Sequence, residues 1–125
     1  MKGTRSGSPA AAAVLLAICA VISSPQQNQT RRVPQFDNDE VKVWKSIVLP
    51  NQPLSMHRHD HPRVIIALAG GQMKIVEQTD ASETHTWDTG KAYWLPANPP
   101  GKLHADVNIS DKPIEVIVVE LHKAK

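Results

Sequence analysis

From Val41 onward, apolar and β-branched residues recur at alternate positions or in short runs, and turn signals close each run. Val41, Val43, Ile47, Val48 and Leu49 predict a first strand or pair of strands, stopped at Pro50-Asn51. A short segment from Leu54 to His59 follows, bracketed by Pro53 and Pro62. The continuous apolar run Val64–Ala69 suits a buried strand, and Gly70-Gly71 turns it into a returning strand over Met73–Gln78. Asp80-Ala81-Ser82 precedes a strand at Glu83–Trp87, and Asp88-Thr89-Gly90 turns the chain into Ala92–Leu95. A rigid loop, Pro96–Gly101, leads to Leu103–Ile109 and Ile114–Leu121, separated by Ser110-Asp111-Lys112-Pro113. That makes about eight short strands, the pattern of an all-β sandwich or barrel.

The first 40 residues break this pattern. Residues 1–24 have the layout of a Sec-type signal peptide: Lys2 and Arg5, then the uncharged stretch Ala10–Ile22, then small residues. The apolar stretch is shorter than the roughly 20 residues a bilayer span needs. Cys19, the one cysteine, falls inside this leader, and Leu16-Ala17-Ile18-Cys19 offers a secondary reading as a lipoprotein acylation site. Residues 25–40 are polar and predict a linker, which places the domain at residues 41–125. The expected location is secreted or periplasmic.

Composition narrows the function classes. Lys2 and Arg5 account for the whole excess of basic over acidic side chains, a formal +2, so the mature chain is charge-balanced. Nothing there favours nucleic acid or an anionic membrane surface as partner. Without a mature cysteine, stability must come from packing or metal.

Six histidines are many for 125 residues, and three of them are spaced for chemistry. His57, His59 and His61 stand at i, i+2 and i+4, which in a strand is one face. A helix would pair only His57 with His61, and Pro62 argues against one. Two such imidazoles chelate a transition metal when a third ligand joins them, and His104, behind the Pro96–Gly101 loop, is the natural supplier. His85 and His122 read as surface residues.

In this order, His57-x-His59, Gly70, Gly90, Pro96, His104 and Asn108 resemble the two motifs of the cupin superfamily, over about residues 41–122. The resemblance implies a single cupin-type β-barrel (a double-stranded β-helix, or jelly roll). It also implies one divalent ion (Fe, Mn, Cu, Ni or Zn) on His57, His59 and His104, and a homodimer. Three departures stand out: Asn51 replaces the opening Gly, the loop between Pro96 and His104 is three residues longer, and Arg63 occupies the place of the metal-binding Glu.

An arginine cannot coordinate a metal. Arg63 therefore either turns away from the centre or holds an anion beside it, a task suited to its planar guanidinium. Asp106 shares a face with His104 in a regular strand, as a replacement ligand, an orienting group or a solvated acid. His61 is a candidate general base, a fourth ligand or a solvated loop residue. The aromatic residues are expected in the core, and Asn108 is expected to stabilise a local connection. The leading expectation is a metal-dependent dioxygenase of a small carboxylate or enediol-like substrate, catalysed with Arg63 and His61. The alternatives are a non-catalytic module that binds a metal or small ligand, and a metal-free barrel.

Overall fold

The computed structural model describes residues 2–4, 6–19 and 28–122, and among these every regular element is a strand. Nine strands follow in order: β1 Arg31–Asp37, β2 Val41–Val48, β3 Leu54–His57, β4 Arg63–Ala69, β5 Gly71–Glu77, β6 Ser82–Trp87, β7 Ala92–Leu95, β8 His104–Asn108 and β9 Ile114–Leu121. Eight of them match the runs read from the pattern. No helix among the described residues is long and apolar enough to cross a membrane.

The ninth corrects the polar linker. Arg31–Asp37 is an edge strand, antiparallel to β2 with Arg31 opposite Ile47 and Asp37 opposite Lys42. An edge strand needs no second apolar face, and it tolerates Pro34, where the register shifts. Arg32 lies 5.2 Å above the Trp44 ring, a cation–π contact that helps anchor the strand. Residues 25–27 and the cleavage region of the leader fall outside the described residues.

The strands form two sheets, β1-β2-β9-β4-β7 and β3-β8-β5-β6, which stay open where a closed barrel was expected. Prolines interrupt the ladders at the joins: Pro50 and Pro53 between β2 and β3, and Pro96, Pro99 and Pro100 after β7. The isolated bridge Pro50–Asn108 links the sheets. Asn108 is fully buried; its Nδ2 donates to the carbonyls of Val48 (2.8 Å) and Lys112 (2.7 Å), and its Oδ1 accepts from Ser110 N. These bonds give it the connecting role expected of it. Asn51 sits at φ 56, a left-handed conformation that asparagine tolerates better than most residues, which accounts for its standing in for glycine.

Between the sheets pack Trp44, Val48, Ile65, Ala67, Met73, Trp87, Ile114, Val116 and Val118. Trp44 and Trp87 are core residues as expected, whereas Phe36 and Trp94 are exposed. Both exposed rings lie on edge strands. The strand ends bring a polar layer to one end of this core. β4 begins with Arg63 opposite Glu120 near the end of β9, and β3 ends with His57 opposite His104 at the start of β8.

Candidate metal centre

His57, His59 and His104 converge at that polar end, their ligand atoms all within 4.8 Å of one another. Only His57 and His104 lie on strands. β3 stops at His57, so the expected single strand face of three histidines is replaced by a strand end and a loop. His59 reaches the group because its loop is pinned to the loop after β7. Its backbone N donates to Asn98 Oδ1 at 2.7 Å, and Asn98 N donates to its carbonyl at 2.8 Å. The His59 ring stacks on Trp44, 3° from parallel.

Two of the three rings have a fixed tautomer. His57 Nδ1 lies 2.6 Å from the Ser55 carbonyl, which can only accept, so Nδ1 carries a proton and Nε2 is the nitrogen left to act as a ligand. His59 Nδ1 lies 3.2 Å from Glu120 Oε1, which likewise leaves Nε2 free. A carboxylate behind a metal-binding imidazole is a recurrent arrangement that orients the ring. Buried His57 Nε2 has no hydrogen-bond partner, although the cost of leaving such an atom unpaired is high. An ion held by the three imidazoles supplies what it lacks, so these residues fit a metal.

Electrostatics favour the ligand-competent neutral form of His104 and His59. Burial lowers the pKa of His104 to about 4, and the opposing attraction of Asp106 is smaller. Burial also lowers that of His59, against the pull of the Glu120 hydrogen bond. For Asp106, burial acts upward, but the neighbouring His57, His104 and His59 outweigh it and hold the carboxyl below its usual range. Glu120 is lowered first by its hydrogen bond to His59.

Arg63 points inward and is buried, with its guanidinium donating to the Pro96 carbonyl at 3.3 Å. Burial lowers its pKa, opposed by Asp106 and Glu120, which are its counter-charges. It lines a small pocket of about 50 Å³ together with His59 and Asp106. It also joins His104, Trp87, Asn98 and Lys102 around a mouth cavity of about 290 Å³. His61 lies in the turn before β4, half-buried; it is not one of the three converging rings. His85 and His122 are partly exposed, each bonded to an acid: Glu83 at 2.8 Å and Asp37 at 2.7 Å.

Sequence reasoning missed Glu120, Asn98 and the Ser55 carbonyl. Glu120 had a signal: it continues the inward register of Val116 and Val118 on β9, where a carboxylate is out of place without a partner. Asn98 and Ser55 act through loop geometry that no local pattern encodes.

No protein-family model matches the sequence, and no curated protein matches it. Solved structures do. A cupin domain from Bordetella pertussis Tohama I superposes with a TM-score of 0.66 at 26% identity, over 77% of this chain and 95% of that one. By fold, this chain is a cupin. An RmlC-like cupin family protein with a double-stranded β-helix fold, from Methanocaldococcus jannaschii, gives 0.56 at 16% identity, over 76% of this cupin and 84% of that chain. An RmlC-like cupin from Desulfovibrio desulfuricans gives 0.54 at 17%, over 84% and 92%. The trio of histidines in this cupin is thus set in the fold that its motifs resemble, with arginine where those motifs carry glutamate.

Proposed function

We propose that this protein is an exported, metal-dependent cupin that binds a small carboxylate or enediol-like molecule and acts on it as a dioxygenase. The observation that carries the reading is the shared wall of the mouth cavity: Arg63 and His104 line the same space. A buried guanidinium beside a site for a dication leaves positive charge that an anionic ligand complements. The cavity is of a size for a small molecule.

Within this reading, His57, His59 and His104 hold one divalent ion of Fe, Mn, Cu, Ni or Zn. A redox-active ion among these supplies electron transfer to dioxygen when bound. Arg63 receives the ligand's carboxylate and fixes its orientation, and Glu120 and Ser55 hold the imidazoles. His61, near Glu120, is the candidate for moving a proton. The loop after β7 contributes Pro96, Asn98 and Pro99 to the wall of the mouth cavity.

Export is supported by Lys2, Arg5 and the apolar stretch, whose Val14, Leu15, Leu16 and Ile18 are exposed and add nothing to the core. Cys19 acylation is the secondary route. A homodimer is supported by Leu68 and Trp94, large apolar side chains exposed on the neighbouring strands β4 and β7. A second reading is a binding module without turnover: the three converging imidazoles account for metal binding by themselves and require no oxidative step.

The test is calorimetric titration of the metal-loaded protein with small carboxylates, alongside an oxygen electrode, on wild type and Arg63→Met. Binding and oxygen uptake that both disappear in Arg63→Met support the enzyme. Binding without oxygen uptake supports the module, and no binding contradicts the anion site.

A further inference from the structure

The centre lacks the carboxylate that its motif resemblance calls for, because Arg63 stands in that place. A different acid lies within reach. β8 alternates so that His104, Asp106 and Asn108 face inward, and Asp106 sits opposite Leu54 of β3 and Ile75 of β5. Its two oxygens divide between two rings: Oδ2 is 3.4 Å from His57 Nε2, and Oδ1 is 3.6 Å from His104 Nε2.

That contact is placed for a shared ion. His57 Nδ1 is taken by the Ser55 carbonyl, and Nε2, which has no hydrogen-bond partner, is the nitrogen that faces Asp106. A carboxylate oxygen beside each of two imidazole nitrogens is a donor set that divalent transition metals accept. The spacing also suits a shared ion, since ligands with bonds of about 2.1 Å in a tetrahedral shell stand about 3.4 Å apart.

We propose that Asp106 is the fourth protein ligand of the metal, its carboxylate supplied by β8 in place of the one missing from position 63. The inference rests on the metal-centre reading above and deepens it. A His₃Asp set neutralises one unit of the ion's charge, and it assigns Arg63 to the incoming ligand and not to the ion. Asp106 belongs to the coordination shell, so its replacement changes the ion's spectrum as well as its affinity.

The experiment loads wild type, Asp106→Asn and Asp106→Cys with cobalt(II) and follows ultraviolet–visible absorption, X-ray absorption and affinity by chelator competition. The expected results are a thiolate-to-cobalt charge-transfer band and a sulfur neighbour at about 2.3 Å in Asp106→Cys alone. Asp106→Asn is expected to bind more than about 100-fold more weakly, beyond the 10–100-fold typical of groups outside the shell. Far-ultraviolet circular dichroism checks the fold, and Asp106→Asn decides alone if the cysteine variant does not fold. A cobalt-loaded Asp106→Cys without the sulfur signature, or a smaller loss in Asp106→Asn, overturns the assignment and leaves a three-histidine centre standing. Wild type that binds no cobalt overturns both.

Discussion

His59 and Glu120, 61 residues apart in sequence, meet at 3.2 Å at the polar end of the core, and the carboxylate sets which ring nitrogen of His59 faces its fellow histidines. Glu120→Ala frees the ring and the tautomer. Metal affinity is expected to fall about 10–100-fold, measured by competition with a coloured chelator. Glu120→Gln, whose amide oxygen still accepts from Nδ1–H, is expected to lose less.

Asn98 holds the loop that carries His59. Asn98→Ala removes the 2.7 Å bond to His59 N while the backbone bond from residue 98 persists. A net loss of about 1 kcal/mol is expected by urea titration. Metal affinity is expected to fall as well, which a purely structural contact distant from the centre would not cause.

Arg63→Glu tests the orientation of that side chain. In the metal-free protein it places a third carboxylate near Asp106 and Glu120 and removes their counter-charge, so a cost of about 3 kcal/mol or more is expected. Added metal is expected to recover stability and to bind more tightly than in wild type. The melting temperature with and without metal checks both. Unchanged metal affinity contradicts the inward placement.

Acid is expected to weaken the metal-free fold. His104, with a pKa near 4 when folded against 6.5 ordinarily, binds fewer protons folded than unfolded between those values, so stability falls as pH drops through that window. His59 is shifted in the same direction. Asp106 and Glu120 are also lowered, and their contribution is lost as pH falls through the carboxylate range. All four effects share one sign. A melting curve taken at about pH 7 and again at about pH 4.5 measures it; equal midpoints contradict the buried, neutral histidines.

Where side chains alternate against a core, the sequence was readable. The runs around Ile65 and Val116 carry their own period, and His57 and His104 lie at the ends of such runs; spacing offered His57, His59 and His61 with His104 as a further ligand, and the motif resemblance singled out the trio that converges. β1 was not, because an edge strand held by Arg32 on Trp44 buries too little to mark itself. Nor was the open sandwich: alternation fixes which face is inside, whereas closure depends on which strands pair across the fold, and that is not encoded locally. Glu120 and Asn98 become functional only through register and loop contact across the fold. Arg63 could be flagged from the motif, but its direction required the pairing with Glu120.

The most direct test of the account is elemental mass spectrometry of the full-length protein purified without a polyhistidine tag, beside the His57→Ala/His59→Ala double variant. The account predicts close to one divalent transition-metal ion per chain in wild type and none in the variant. Wild type that carries no metal and takes up none when offered Fe, Mn, Cu, Ni or Zn would contradict it.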